Sequence, residues 1–90
     1  MNNFIINSEG VVDGYMFEFT VAELFDSVGL PVADEYVVNW SDSDFDIIID
    51  SVEADGVVVW QESEIDVENW TDDDDRLVEG LTNYVENNIV

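Results

Sequence analysis

The chain has 90 residues, of which 23 are Asp or Glu and only one, Arg76, is basic, so its formal net charge at pH 7 is −22. It contains no Cys, which excludes a disulfide framework and any thiolate metal site. A charge this high is typical of disordered chains, but 47% of the residues are hydrophobic and 12% are aromatic, which predicts a folded core. We therefore expect residues 1–90 to form a single acidic globular domain, near the lower size limit for an apolar core.

The first part of the chain predicts two strands and a short helix. Residues 4–6 and 15–19 have strand character, and the turn signals between them predict an antiparallel hairpin. Thr20 and Glu23 have the spacing of a capping box, which predicts that a helix begins there and ends near Gly29.

The second part predicts three more strands and a final helix. Residues 36–40, 45–52 and 57–60 are apolar or alternating runs, the last two joined by a hairpin. Residues 62–68 alternate strictly, which favours a continued strand or an edge strand. Thr71 precedes four Asp residues and is expected to cap a helix with one apolar face. The order β-β-α-β-β-β-α predicts an α+β fold, in which two helices pack on one face of a small antiparallel sheet.

The composition argues against an enzyme. The chain lacks Cys, His and Lys, and therefore the usual thiolate nucleophiles, general bases and Schiff-base amines. No carboxylate pair stands out among the 23 acidic residues, and there is no Gly-rich phosphate loop. We expect no catalysis and no cofactor.

A calcium-binding module is one alternative. Acidic residues fall at positions 1, 3, 5, 9 and 12 of an EF-hand loop: Asp42, Asp44, Asp46, Asp50 and Glu53. Position 6, which needs Gly for the sharp turn, is Ile47, and the flanking segments do not predict helices. We therefore assign no metal ligand.

The acidic residues after position 41 form three clusters. In a strand, the alternation over residues 62–68 would place four carboxylates on one face. Neighbouring carboxylates would be two residues apart, at a rise of about 3.3 Å per residue. Residues 42–46 repeat the same alternation, and residues 72–75 place four carboxylates at a helix start. We predict a partner-binding surface made of Asp42, Asp44, Asp46, Asp50, Glu62, Ser63, Glu64, Asp66, Glu68, Asp72, Asp73, Asp74 and Asp75.

This charge predicts a strongly basic partner, and basic surfaces in cells commonly bind nucleic acid. B-DNA carries one charge per about 1.7 Å, so 22 charges correspond to about 11 base pairs, close to one helical turn. A compact chain of this length has a diameter of roughly 30 Å. The expected partner is therefore a basic DNA-binding protein, while direct contact with nucleic acid is not expected. Either a monomer or a homodimer is compatible with the sequence.

In size, charge and lack of Lys, Cys and His, the chain resembles the acidic DNA-mimic inhibitors of phages and mobile elements. These include anti-restriction proteins, anti-CRISPR proteins and uracil-DNA glycosylase inhibitors. The segment Gln61-Glu62-Ser63 resembles the Gln-Glu-Ser strand of the phage uracil-DNA glycosylase inhibitors. The resemblance implies competitive inhibition of a nuclease, a restriction or CRISPR effector or a DNA glycosylase, with Glu62 and Ser63 in its DNA groove. The two helices which that family places before its sheet are not evident here.

The sequence also predicts a localisation and leaves adaptation to high salt open as an alternative. Residues 1–9 lack the features of a signal peptide, and no stretch reaches the roughly 18 apolar residues of a membrane span, so we expect a cytoplasmic protein, in the host cytoplasm if phage-encoded. A halophile-adapted acidic protein of another role is the second alternative. Such a protein would unfold below molar salt.

Overall fold

The computed structural model describes residues 2–14 and 17–89 and shows an α+β fold, as predicted. In chain order the elements are β1 (Asn2–Asn7), β2 (Val11–Gly14), β3 (Phe17–Thr20), α1 (Val21–Ser27), β4 (Glu35–Ser43), β5 (Asp46–Ala54), β6 (Val57–Gln61) and α2 (Asp72–Asn88). Two short 3-10 turns, Glu62–Glu64 and Val67–Asn69, connect β6 to α2. Three strands rather than two thus precede α1, because β2 forms within the predicted turn region.

The strand pairing differs from the predicted first hairpin. β1 pairs antiparallel with β4, so the main sheet has the order β1-β4-β5-β6, while β2 and β3 form a separate two-stranded sheet. The predicted hairpin between residues 4–6 and 15–19 is therefore wrong. Tyr15 and Met16, the start of the second predicted strand, lie outside the described residues.

Both helices begin where their capping signals predict. The Thr20 and Glu23 side chains complete a capping box before α1, and Thr71 and Asp74 complete a second before α2. Each box satisfies backbone N–H groups that have no acceptor within the helix. Gly29 follows α1 with φ of 80°, a left-handed conformation that Gly adopts without strain.

A single apolar core lies between one face of the main sheet and the two helices. Sheet residues Tyr36, Val38 and Val52 are fully buried, together with Phe25 from α1 and Leu81 from α2. The rings of Phe25 and Tyr36 pack edge to face, with centroids 4.4 Å apart. The α-carbons span 31 × 30 × 28 Å, close to the diameter expected from chain length.

Among residues 2–14 and 17–89, no helix packs on the other face of the main sheet. A row across all four strands contains Ile5, Val37, Glu53 and Val58, paired in that order. Ile5 and Val58 are exposed. The Asn39 side-chain amide donates to Glu53 at 3.0 Å, so one of the carboxylates on this face is held within the sheet.

Candidate partner-binding surface

The carboxylates remain at the surface. Within residues 2–14 and 17–89, no polar or charged residue is buried. Eleven of the thirteen predicted partner-binding residues are exposed, and Asp50 and Asp74 are half-buried. These residues come from three segments: the β4–β5 hairpin tip, the connection between β6 and α2, and the first turn of α2.

At the hairpin tip the acidic residues do not follow one strand. Asp42 lies near the end of β4, Asp44 lies in a two-residue turn, and Asp46 opens β5. The sequence interpretation began a strand at Phe45, but this residue is the second of the turn. The expected ladder is therefore wrong here, because the chain reverses direction between its members.

The same hairpin excludes the EF-hand alternative. Residues 42–53, which would form the calcium loop, run along two paired antiparallel strands instead of connecting two helices. Across the residues that the structure describes, no group of three or more acidic side chains is arranged to hold a metal ion.

In the β6–α2 connection the strictly alternating pattern does not form a strand. The 3-10 turns are closed by backbone hydrogen bonds from Ile65 N to Glu62 O and from Asn69 N to Asp66 O. Ile65 and Trp70 both pack against the core, and the chain must turn to bring them there. A straight edge strand would also have lined up four like charges, which repel. Glu62, Glu64, Asp66 and Glu68, with Ser63, are all exposed, but they do not share one strand face.

Two of the four carboxylates in the first turn of α2 accept hydrogen bonds from tryptophan side chains, and the other two are exposed. Asp74 closes the capping box with Thr71 and accepts a hydrogen bond from Trp60 Nε1 at 3.1 Å. Asp75 accepts from Trp70 Nε1, and the two indoles pack edge to face with centroids 6.0 Å apart. Asp72 and Asp73 are exposed. They are therefore the members of this cluster most available to a partner.

The pKa of the Asp74 carboxyl is also shifted. Partial burial raises the pKa of this carboxyl, but hydrogen bonds from the Thr71 backbone N–H, the Trp60 indole and the Thr71 hydroxyl lower it, and the net result is a pKa below the ordinary value. The charged form is thus favoured by the contacts that hold the helix start in place.

Asp50 differs from the other predicted residues. It is the extra residue of a bulge in β5, since the register with β4 shifts from Asn39–Ser51 to Trp40–Ile49. Its Oδ2 atom is buried without a hydrogen-bond partner. A half-buried carboxylate in this position is less available to a partner than the exposed ones.

The topology brings the three segments to one end of the molecule. β6 runs antiparallel to β5, from Ala54–Val57 toward Ser51–Gln61, and so it points toward the hairpin tip. The Glu62–Glu64 turn then contacts β5, and the bond from Trp60 to Asp74 fixes the start of α2 beside the end of β6. Along β5, Ser51 lies about 17 Å from Asp46 at 3.3–3.4 Å per residue. The acidic end, made of these three segments, therefore extends over a distance comparable to half a DNA turn.

Comparison with known proteins gives no relative from which a function could be proposed, so a proposal about function rests on the acidic end. No known protein family, curated protein or solved structure matches the chain. Neither helix of the described residues is long and apolar enough to cross a membrane.

The aromatic residues partly follow the sequence expectation. Trp40 and Trp60 lie in the predicted strand runs at residues 36–40 and 57–60, which favours burial of their side chains. Both are buried, with exposed fractions of 5% and 7%. The sequence also offers Trp70 and Tyr84 as aromatic residues that could anchor a partner, since Trp and Tyr are frequent in binding hot spots. Trp70 packs against the core at the start of α2, and Tyr84 stacks on Phe4 with ring centroids 5.0 Å apart, so both rings already make contacts within the fold. The sequence interpretation missed Phe45, which is fully exposed at the hairpin tip. Its position between two Asp residues was the available signal.

Proposed function

We propose that this domain is a DNA-mimic inhibitor, which binds a basic DNA-binding protein and competitively occupies its DNA site. The observation that carries the proposal is the exposed acidic end formed by three separate segments. Arg76 is the only basic residue of the chain, so the side chains of the domain supply almost no positive charge to offset this field.

The dimensions support the same function. The longest extent of 31 Å corresponds to about 18 phosphate charges on B-DNA, comparable to the net charge of −22. Opposed charges steer the encounter of such a domain with a basic groove, so association should be fast at low salt. We propose further that the protein is phage-encoded and acts in the host cytoplasm on a defence or DNA-repair enzyme.

The test is direct binding to a panel of purified DNA-binding enzymes, which includes a nuclease, a restriction effector, a CRISPR effector and a DNA glycosylase. We expect one of them to bind with an affinity that falls about tenfold or more between 50 and 200 mM salt, and we expect duplex DNA to compete. An affinity that does not change with salt concentration, together with no competition by duplex DNA, would contradict DNA mimicry.

Two charge-matched variants locate the surface. The first replaces one carboxylate in each acidic segment: Asp42→Asn, Glu62→Gln and Asp73→Asn. The second replaces three exposed carboxylates elsewhere: Glu9→Gln, Glu18→Gln and Glu86→Gln. Both variants lose three charges, but we expect the first to weaken binding about tenfold more than the second. Equal losses would show that net charge, and not this surface, determines binding.

A further inference from the structure

At the tip of the β4–β5 hairpin, the aromatic ring of Phe45 is not covered by any other described part of the fold. Phe45 is 106% exposed, whereas Phe17, the next most exposed phenylalanine, is 65% exposed and packs edge to face on Phe19. Exposing a phenylalanine ring completely forgoes the favourable free energy of burying it.

The backbone at Phe45 adds a second cost. Asp44 and Phe45 have φ of 49° and 72°, and the β5–β6 turn has nearly the same geometry, with φ of 51° at Asp55 and 84° at Gly56. Two-residue hairpin turns with both central φ values positive favour Gly at the second position, because a side chain is strained there. The chain uses Gly in one hairpin and Phe in the other, so Phe45 is present despite the turn and not because of it.

The charges around the ring indicate what kind of pocket it fits. Asp44 and Asp46 flank Phe45 in sequence and are both exposed, and exposed Asp42 lies across the turn. An apolar pocket with a cationic rim is complementary to an aromatic ring between carboxylates. Enzymes that act on DNA bases contain such a pocket, since they extrude a base from the duplex and hold it between apolar or aromatic side chains inside a basic groove.

We propose that Phe45 enters the pocket that a base-flipping enzyme reserves for an extruded base, with Asp44 and Asp46 in the places of the two flanking phosphates. The ring is a planar six-membered cycle, like that of a pyrimidine. This inference rests on the proposed function and narrows the partner from DNA-binding proteins in general to enzymes that extrude a base.

The experiment compares four forms of the protein on three purified probes. The probes are a uracil-DNA glycosylase and a cytosine DNA methyltransferase, which flip bases, and a histone-like architectural protein, which does not. The forms are the wild type, Phe45→Gly, Phe45→Tyr and, as the control at another exposed phenylalanine, Phe17→Ser. We expect Phe45→Gly to weaken binding to a base-flipping enzyme by about 30-fold or more, the effect of losing an aromatic hot spot. Phe45→Tyr and Phe17→Ser should stay within about threefold of wild type, well below a hot-spot effect.

Folding does not confound this comparison. Phe45→Gly gives the β4–β5 turn the Asp-Gly sequence of the β5–β6 turn, and we expect its melting temperature to rise by about 4 °C. A variant that is more stable and yet binds less tightly separates the role of the ring from the integrity of the hairpin.

A photo-crosslinker identifies the residues of the enzyme that lie next to position 45 in the complex. With p-benzoylphenylalanine at position 45, the crosslink should map to the residues that line the base pocket of the enzyme. A crosslink outside that pocket, or wild-type affinity of Phe45→Gly, overturns this inference and leaves the proposed function in place. The inference also fails alone if only the architectural protein binds. If none of the three probes binds, this inference fails, and the proposed function is decided by binding to the panel of nuclease, restriction effector, CRISPR effector and DNA glycosylase.

Discussion

Asp74 connects the acidic surface to the folded core through its side-chain contacts. Its carboxylate receives hydrogen bonds from the Thr71 backbone and hydroxyl and from the buried Trp60 indole. The folded-state pKa lies below the ordinary value of 3.8, so folding favours the charged form. The resulting stabilisation is complete above the unfolded-state pKa and is lost as the pH falls through the lower folded-state pKa.

We expect Asp74→Ala to lower the free energy of unfolding at pH 7 by about 1–2 kcal/mol, because the helix loses its capping partner and Trp60 Nε1 loses its acceptor. Asp73→Ala is the matched control, since Asp73 is exposed, and it should change stability by less than about 0.5 kcal/mol. Urea denaturation at pH 7 and again below pH 3 measures both variants. The deficit of Asp74→Ala should shrink in acid, and a deficit that is unchanged would show that the charge of Asp74 is not involved.

At the scale of elements, the position of α2 depends on close approach to the two-stranded sheet. A Cβ atom on Gly80 would lie 3.0 Å from the carbonyl oxygen of Asp13 in β2 and 3.0 Å from a methyl group of Leu24 in α1. The Asn83 amide donates to the same Asp13 oxygen at 3.4 Å. Glycine therefore lets one helix pack against a strand and another helix at the same point.

We expect Gly80→Ala to destabilise the domain by about 1 kcal/mol, although Ala has the higher helix propensity by about the same amount. The overpacking cost of about 1–3 kcal/mol should exceed the propensity gain. Glu79→Ala, at the exposed neighbouring position, should be within about 0.5 kcal/mol of wild type. Thermal unfolding by circular dichroism checks both. A more stable Gly80→Ala variant would mean that β2 shifts to accommodate the added Cβ atom without lowering the free energy of unfolding.

For the molecule as a whole, charge and size set how stability responds to salt. The Debye length at 0.01 M is about 30 Å, which matches the longest extent of 31 Å, so at this ionic strength every carboxylate repels every other. At 1 M salt the length is about 3 Å, and the repulsion is confined to near neighbours.

The melting temperature should therefore rise steadily from 10 mM to 1 M NaCl, since screening relieves the self-repulsion of the folded state. The variant Glu9→Gln, Glu18→Gln and Glu86→Gln should show a smaller rise because it carries less charge. Differential scanning calorimetry measures both. We expect a folded domain at 10 mM salt; a chain that is unfolded there would instead favour the salt-adapted alternative.

The features that the sequence predicted are those with local signals. Capping boxes at Thr20 and Thr71, the Asp55-Gly56 turn and the burial of Trp40 and Trp60 all depend on neighbouring residues or on periodicity. The pairing of β1 with β4 depends on contacts about 30 residues apart in sequence, which periodicity does not encode.

The candidate surface was predictable in its residues but not in its shape. Alternation over residues 62–68 predicted a strand, yet packing of Ile65 and Trp70 on the core imposed turns instead. Phe45 resembled the first residue of an apolar strand, and only the register of the hairpin assigns it to the turn. Tertiary packing decided both positions against the local pattern.

The place of Arg76 in α2 gives the domain a built-in reporter of local opening. Trypsin cleaves after Lys or Arg, so these 90 residues offer it one bond, that between Arg76 and Leu77. This bond lies inside α2, and Leu77 is buried in the core. A protease must pull several residues into an extended conformation, which here requires the start of α2 to unwind and detach from Trp60 and Trp70. The rate of this single cut therefore measures how often the helix opens, and a partner bound across the acidic end would slow it.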